Sequence, residues 1–72
     1  MAFDYNELLG RIIARFGSRR AFCQKIGYRE GRLSSRLTGA TPLKLEEIRL
    51  FADALDIPDE QIGFYFFTPK VR

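Results

Sequence analysis

Three arginines, Arg29, Arg32 and Arg36, fall between Gly27 and Gly39 among residues of very little bulk: Gly31, Ser34, Ser35 and Thr38. A guanidinium offers a fork of donors that matches guanine edges and phosphate oxygens. Hydroxyls bond bases or phosphates. A helix face meant only for water draws more on Lys, Glu and Gln, whose helix propensity is better. Arginine, glycine and hydroxyls together therefore suit a surface that a polyanion approaches closely. Leu33 and Leu37, one turn apart, mark the side that must face a core. Stepping about 100° per residue from them turns Gly31, Arg32, Ser35 and Thr38 outward, with Ser34 and Arg36 on the flanks.

Five helical segments are predicted to position this face. The first starts near Asp4, where Glu7 would complete a capping box, and runs through Leu8, Leu9, Ile12, Ile13 and Phe16 to Gly17. Ser18 caps a second that carries Arg19, Phe22, Cys23 and Ile26 and stops at Gly27. The third spans about Glu30 to Leu37 and ends at Thr38-Gly39. A fourth covers roughly Leu45 to Leu55 and buries Ile48, Phe51, Ala52 and Leu55. Pro58 opens a fifth from its first position, and residues of about 64–72 are expected to end in an extended tail. No β alternation is visible in the first sixty residues. The expected fold is all-α, one domain over residues 1–72. A link as brief as Gly27-Tyr28 makes the second and third helices cross steeply, as in helix-turn-helix units.

Charge is divided along the chain. From Arg11 to Lys44 nine side chains are basic and one, Glu30, is acidic. From Leu45 to Glu60 six are acidic and one, Arg49, is basic. That division implies a basic face and an acidic or neutral one, and a pI of about 9.4 is consistent with a nucleic-acid partner. The single cysteine, Cys23, rules out an internal disulfide, and no His or Cys cluster is present to hold zinc. Cys23 is expected to serve as a small buried apolar residue where two helices approach. Acids at Glu46, Glu47, Asp53 and Asp56 have no nucleophile or basic partner placed with them, and those opening the fourth helix suit its dipole. An enzyme is not expected, nor a cofactor or small-molecule ligand. Arg11 and Arg15 are expected to be solvated or to contribute long-range electrostatics rather than specific contacts. Asp4, Glu7, Arg11 and Arg15 interrupt any apolar leader, and the run from Ile62 to Phe67 is too short to span a bilayer, so a soluble cytoplasmic protein is expected.

The stretch "RAFCQKIGYREGRLSSRLTG" resembles the helix-turn-helix of Cro and lambda-repressor-type proteins. With "LEEIRLFADALDIP" and the "IGFYFF" ending, the chain is similar to the short Cro-like repressors of Gram-positive phages and prophages. Phe22-Cys23, Gly27, Leu33 and Gly39 carry the match. Arg29 stands where such proteins usually place a Ser or Thr cap, and Gly31 where a larger polar reader is common. The resemblance implies a lambda-repressor-like domain that binds a palindromic double-stranded DNA operator as a homodimer, at least on DNA. It puts Glu30, Gly31, Arg32 and Ser35 at base-facing positions and Arg19 on the phosphate backbone. Glu30 would either favour the helix N-terminus or accept from cytosine N4. Arg20, Ser34, Arg36 and Lys44 are expected to add phosphate contacts. The aromatics Phe64, Tyr65, Phe66 and Phe67 exceed what one amphipathic helix hides, so part of them closes the core and part is expected to form a dimer surface. A protein-interaction module, or an antitoxin-type or mobile-element regulator, remains an alternative use of the scaffold.

Overall fold

The computed structural model describes residues 3–70. Among them are five α-helices: α1 (Asn6–Phe16), α2 (Arg19–Ile26), α3 (Glu30–Thr38), α4 (Leu45–Ala54) and α5 (Ile62–Phe66). A 3-10 turn, Asp59–Gln61, leads into α5, and a single antiparallel bridge joins Phe3 to Pro69. The fold of the described residues is all-α. No helix among them is long and apolar enough to cross a membrane.

Local chemistry explains most of the boundaries. The Ser18 hydroxyl accepts from the Ala21 amide at 3.0 Å and starts α2. Gly27 ends it at φ +69°, a left-handed conformation costly for residues with a Cβ. Gly17 and Gly39 close α1 and α3 in the same way. The start of α1 differs from expectation. Asp4 donates its amide to the Thr68 carbonyl at 2.8 Å, so the donor that a Glu7 carboxylate would have bonded is already taken. The Asp4 carboxylate instead accepts from the Asn6 amide, and α1 begins there.

The C-terminal segment also departs from its reading. Pro58 precedes the 3-10 turn in an extended conformation rather than opening a helix. Residues 64–66 are helical, and chain beyond the helix begins only at Phe67. Residues 71 and 72 of the expected tail lie outside the described residues.

One apolar cluster holds the helices together. Leu8 and Ile12 from α1, Phe22 and Cys23 from α2, Leu33 from α3, Ile48, Phe51 and Ala52 from α4, and Leu55 and Phe66 are all buried. Phe22 and Phe51 meet edge to face with centroids 5.3 Å apart at its centre. Ile26 and Leu37, expected as anchors, pack against this cluster but stay partly exposed. Arg11 is not simply solvated. Its Nε and Nη2 donate to the carbonyls of Leu55 and Asp56 at 3.0 and 2.9 Å, placing a cation at the end of α4, whose last turn has no basic residue of its own. Arg15 pairs with the Asp56 carboxylate beside it.

Candidate nucleic-acid interface

Two short helices present the expected face. Arg19 and Arg20 are exposed on the first turn of α2. On α3, Glu30, Gly31, Arg32 and Ser34 are exposed and Ser35 is half-buried. Arg29, Gly31, Arg32, Ser35 and Arg36 line one shallow open groove. Arg19, Arg20, Arg29, Arg32 and Lys44 enter no ion pair among the described residues. Arg49 of α4, by contrast, pairs with Asp59 at 3.0 Å and lies 3.9 Å from Asp53.

Gly31 is the least expected residue on this face. It is the second residue of α3, in the first turn, and a Cβ built there would meet nothing within 4 Å. Glycine in a helix is less favourable than alanine, by up to about 1 kcal/mol where the position is interior. No neighbour within the chain requires that cost.

Arg36 overturns one expectation. It was placed among phosphate-contacting residues, yet its side chain is only 9% exposed. Its Nε donates to Glu47 Oε1 at 3.0 Å and its Nη2 to Oε2 at 3.2 Å. The same carboxylate accepts from the Tyr28 hydroxyl at 2.6 Å and the Lys44 amide at 2.9 Å. Its bond to the Lys44 amide is half of a capping box, because a lysine side chain offers no acceptor in return. Burial pushes the Glu47 carboxyl upward, but hydrogen bonds from Arg36, the Lys44 amide and Tyr28 outweigh it and hold the group at about 2. Burial, then the bond to Glu47, pushes the Tyr28 hydroxyl up to about 12. No buried side-chain nitrogen or oxygen among the described residues lacks a partner. Arg36 therefore ties α3 to α4, with its Nε and Nη2 both donating within the protein.

Glu47 and Tyr28 were missed as working residues. Glu47 looked like one of two acids favouring a helix start. Its position three residues after Lys44, in "KLEE", was the available signal for a cap. Tyr28 was treated only as part of a turn, although a lone aromatic between two polar helices must rest on something. It rests on Phe51, edge to face at 5.0 Å, and the Arg32 guanidinium carbon lies 5.7 Å from its ring centroid.

The C-terminal aromatics divide between two roles. Phe66 is 1% exposed and belongs to the core, which removes it from the expected dimer surface. Its ring turns inward because α5, not an extended tail, sets its direction. Tyr65 is half-buried, with Arg11 over its ring at 5.8 Å. Phe64 and Phe67 are exposed. Leu45, 82% exposed, joins Ile48, Ile62 and Phe67 around an open apolar depression rimmed by Glu46 and Arg49. Cys23 is buried as expected, and burial followed by the charge of Glu30 pushes its thiol up, away from the reactive thiolate.

No curated protein matches this chain. The model of a family described as a protein of unknown function, DUF739, matches residues 1–69. With all but its last three residues covered by that model, the chain belongs to the DUF739 family.

Proposed function

We propose that this protein is a sequence-specific DNA-binding transcriptional repressor of the Cro type, of phage or prophage origin, acting in the bacterial cytoplasm. In this reading α2 and α3 form a helix-turn-helix. The outer face of α3 enters the major groove, and Arg19, Arg20, Ser34 and Lys44 hold phosphates. Two copies engage a palindromic operator whose half-sites lie about 10 bp apart. Repression follows from occupying a promoter, and no cofactor or small-molecule ligand is needed. An antitoxin-type or mobile-element regulator would use the same DNA face.

The observation that carries the reading is the outer face of α3. An open-sided glycine that nothing inside the protein requires lies beside an arginine with no ion pair. Low bulk lets a helix backbone approach base edges, and arginine is the commonest reader of guanine. The exposed Phe64, Phe67 and Leu45 support contact with a second copy. The same apolar residues favour the rival reading, a protein-interaction module.

Selection of bound duplexes from a random pool decides between them. A repressor enriches one palindromic motif, holds it as two chains per duplex in sedimentation, and loses scrambled duplex first as salt rises. Enrichment of no motif, with binding to all duplexes equally, removes the repressor reading.

A further inference from the structure

Arg32 occupies an unusual position relative to Glu47. Tyr28 lies four residues before it and Arg36 four residues after, and both bond that one buried carboxylate. The outward arginine is thus bracketed in the chain by two side chains anchored in the protein, one in the turn before α3 and one on it.

The Tyr28 ring is held from three directions. Its backbone amide donates to the Cys23 carbonyl at 2.9 Å, which fixes the residue to the end of α2. Its ring meets Phe51 of the core edge to face, at 80°. Its hydroxyl reaches Glu47 Oε2 at 2.6 Å, which stops the ring from swinging outward. The remaining exposed side carries the Arg32 guanidinium at 5.7 Å, within the range of a cation–π contact. Arg32 and Lys44 also flank one depression, with Tyr28, Glu47 and Leu50 among its lining.

We infer that Tyr28 is the positioning residue for Arg32, a platform that sets the guanidinium in place before DNA arrives and so sharpens base choice. This rests on the DNA-binding reading above. A free arginine on a helix surface samples many rotamers, and binding must freeze them. A ring fixed to α2, α4 and the core removes part of that cost in advance. The saving is realised only where the fork meets its correct base. Tyr28 therefore acts on discrimination, while contacts to phosphates are left as they are. The hydroxyl serves to hold the ring, and the ring itself holds Arg32.

Binding isotherms test this on three duplexes: the selected operator, the same operator changed at the base pair whose preference Arg32→Ala abolishes, and a scrambled sequence. Tyr28→Leu should lower the operator-over-changed ratio by about three- to tenfold, the cost of freezing one rotamer-rich side chain. Scrambled duplex should be bound within about twofold of wild type, because phosphate contacts are untouched. Tyr28→Met, equally apolar and without a π face, repeats the measurement should the leucine variant fold poorly. Tyr28→Phe keeps the ring, its contact with Phe51 and its backbone bond to Cys23 and should restore most of the ratio. In the Arg32→Ala background, Tyr28→Leu should lower the ratio no further. In the free protein, the Arg32 side-chain protons should carry a ring-current shift that Tyr28→Leu abolishes. Equal weakening on all three duplexes, an unchanged ratio, or the same loss without Arg32 each overturns the role of Tyr28. A wild-type protein that does not distinguish operator from scrambled duplex overturns the DNA-binding reading itself, and that outcome is visible before any variant is made.

Discussion

The outer face of α3 and the seam between α3 and α4 both carry arginine, and the two regions use it in opposite ways. Arg36 is buried in the seam, forked onto a carboxylate that also takes Tyr28 and the Lys44 amide. Arg32, one turn away, keeps its charge unpaired in a shallow groove beside Gly31. Residue type does not separate the two. What separates them is the neighbouring helix: α4 brings a carboxylate into ion-pair reach of Arg36 and none into reach of Arg32. In a chain this small, arginine serves as a structural cross-link in one place and as a free fork of donors in the next.

The largest expected effect comes from the seam. Glu47→Ala leaves the buried Arg36 guanidinium without its partner, and truncating one side of a buried, hydrogen-bonded pair costs about 2–4 kcal/mol. For a domain of this size that is a large share of total stability. Denaturant unfolding followed by circular dichroism measures the loss, and a change within the error of extrapolation would show that the seam does not hold α3 to α4. The pH dependence follows from the same group. Glu47 sits at about 2 in the folded protein against an ordinary value of 4.5, so its contribution is complete above about pH 4.5 and disappears as the pH falls toward 2. Glu47→Gln should flatten that acid limb of the stability profile.

The outer face should respond in binding and leave the fold intact. Arg32→Ala is expected to cost about 1–3 kcal/mol on the best operator and relax preference at one or two base pairs. Arg19→Ala should weaken operator and scrambled duplex alike and reduce the slope of log affinity against log salt by about 0.9. Titrations across a salt series separate the patterns. If both variants weaken all sequences evenly, Arg32 is a phosphate clamp and the contrast between face and seam is one of burial alone.

The smallest effect is the sharpest test of what Gly31 is for. Gly31→Ala should stabilise the fold by up to about 0.5 kcal/mol, less than the helix-interior value of about 0.5–1 kcal/mol because the position is in the first turn, and the space is open. It should at the same time weaken operator binding. Gly10 of α1 is equally open and serves as the control. Gly10→Ala, in the interior of its helix, should stabilise by at least as much and leave binding alone. Thermal melts and isotherms on the two variants decide the matter. Equal binding by both removes the reason for a glycine on α3.

Much of the architecture was legible in the residues. The hydroxyl of Ser18 and the glycines after α1, α2 and α3 act within a few residues of themselves, so their effect on the chain is readable without knowing the fold. The apolar spacing of Leu8, Ile12, Phe22, Leu33, Ile48, Phe51 and Leu55 likewise assigns an inside to each helix. The outward placement of Gly31, Arg32 and Thr38 follows from that same periodicity, while Ser35, turned outward by it as well, is half-buried.

The tertiary structure alone decided the rest, wherever a side chain had two sides to choose between. Arg36 lies on a flank of α3, and a long flexible guanidinium there turns in or out according to what the next helix offers. Glu47 made it turn in. Phe66 became core, and Phe64 and Phe67 did not, because a short helix formed where an extended tail was expected and set the direction of each ring. Arg11 caps α4 across 44 residues of chain, and Tyr28 reaches Glu47 across 19. Periodicity assigns each helix a face, but a partner so distant in the chain is chosen only when the helices pack, since the energy of a hydrogen bond depends on distance in space and carries no trace in local spacing.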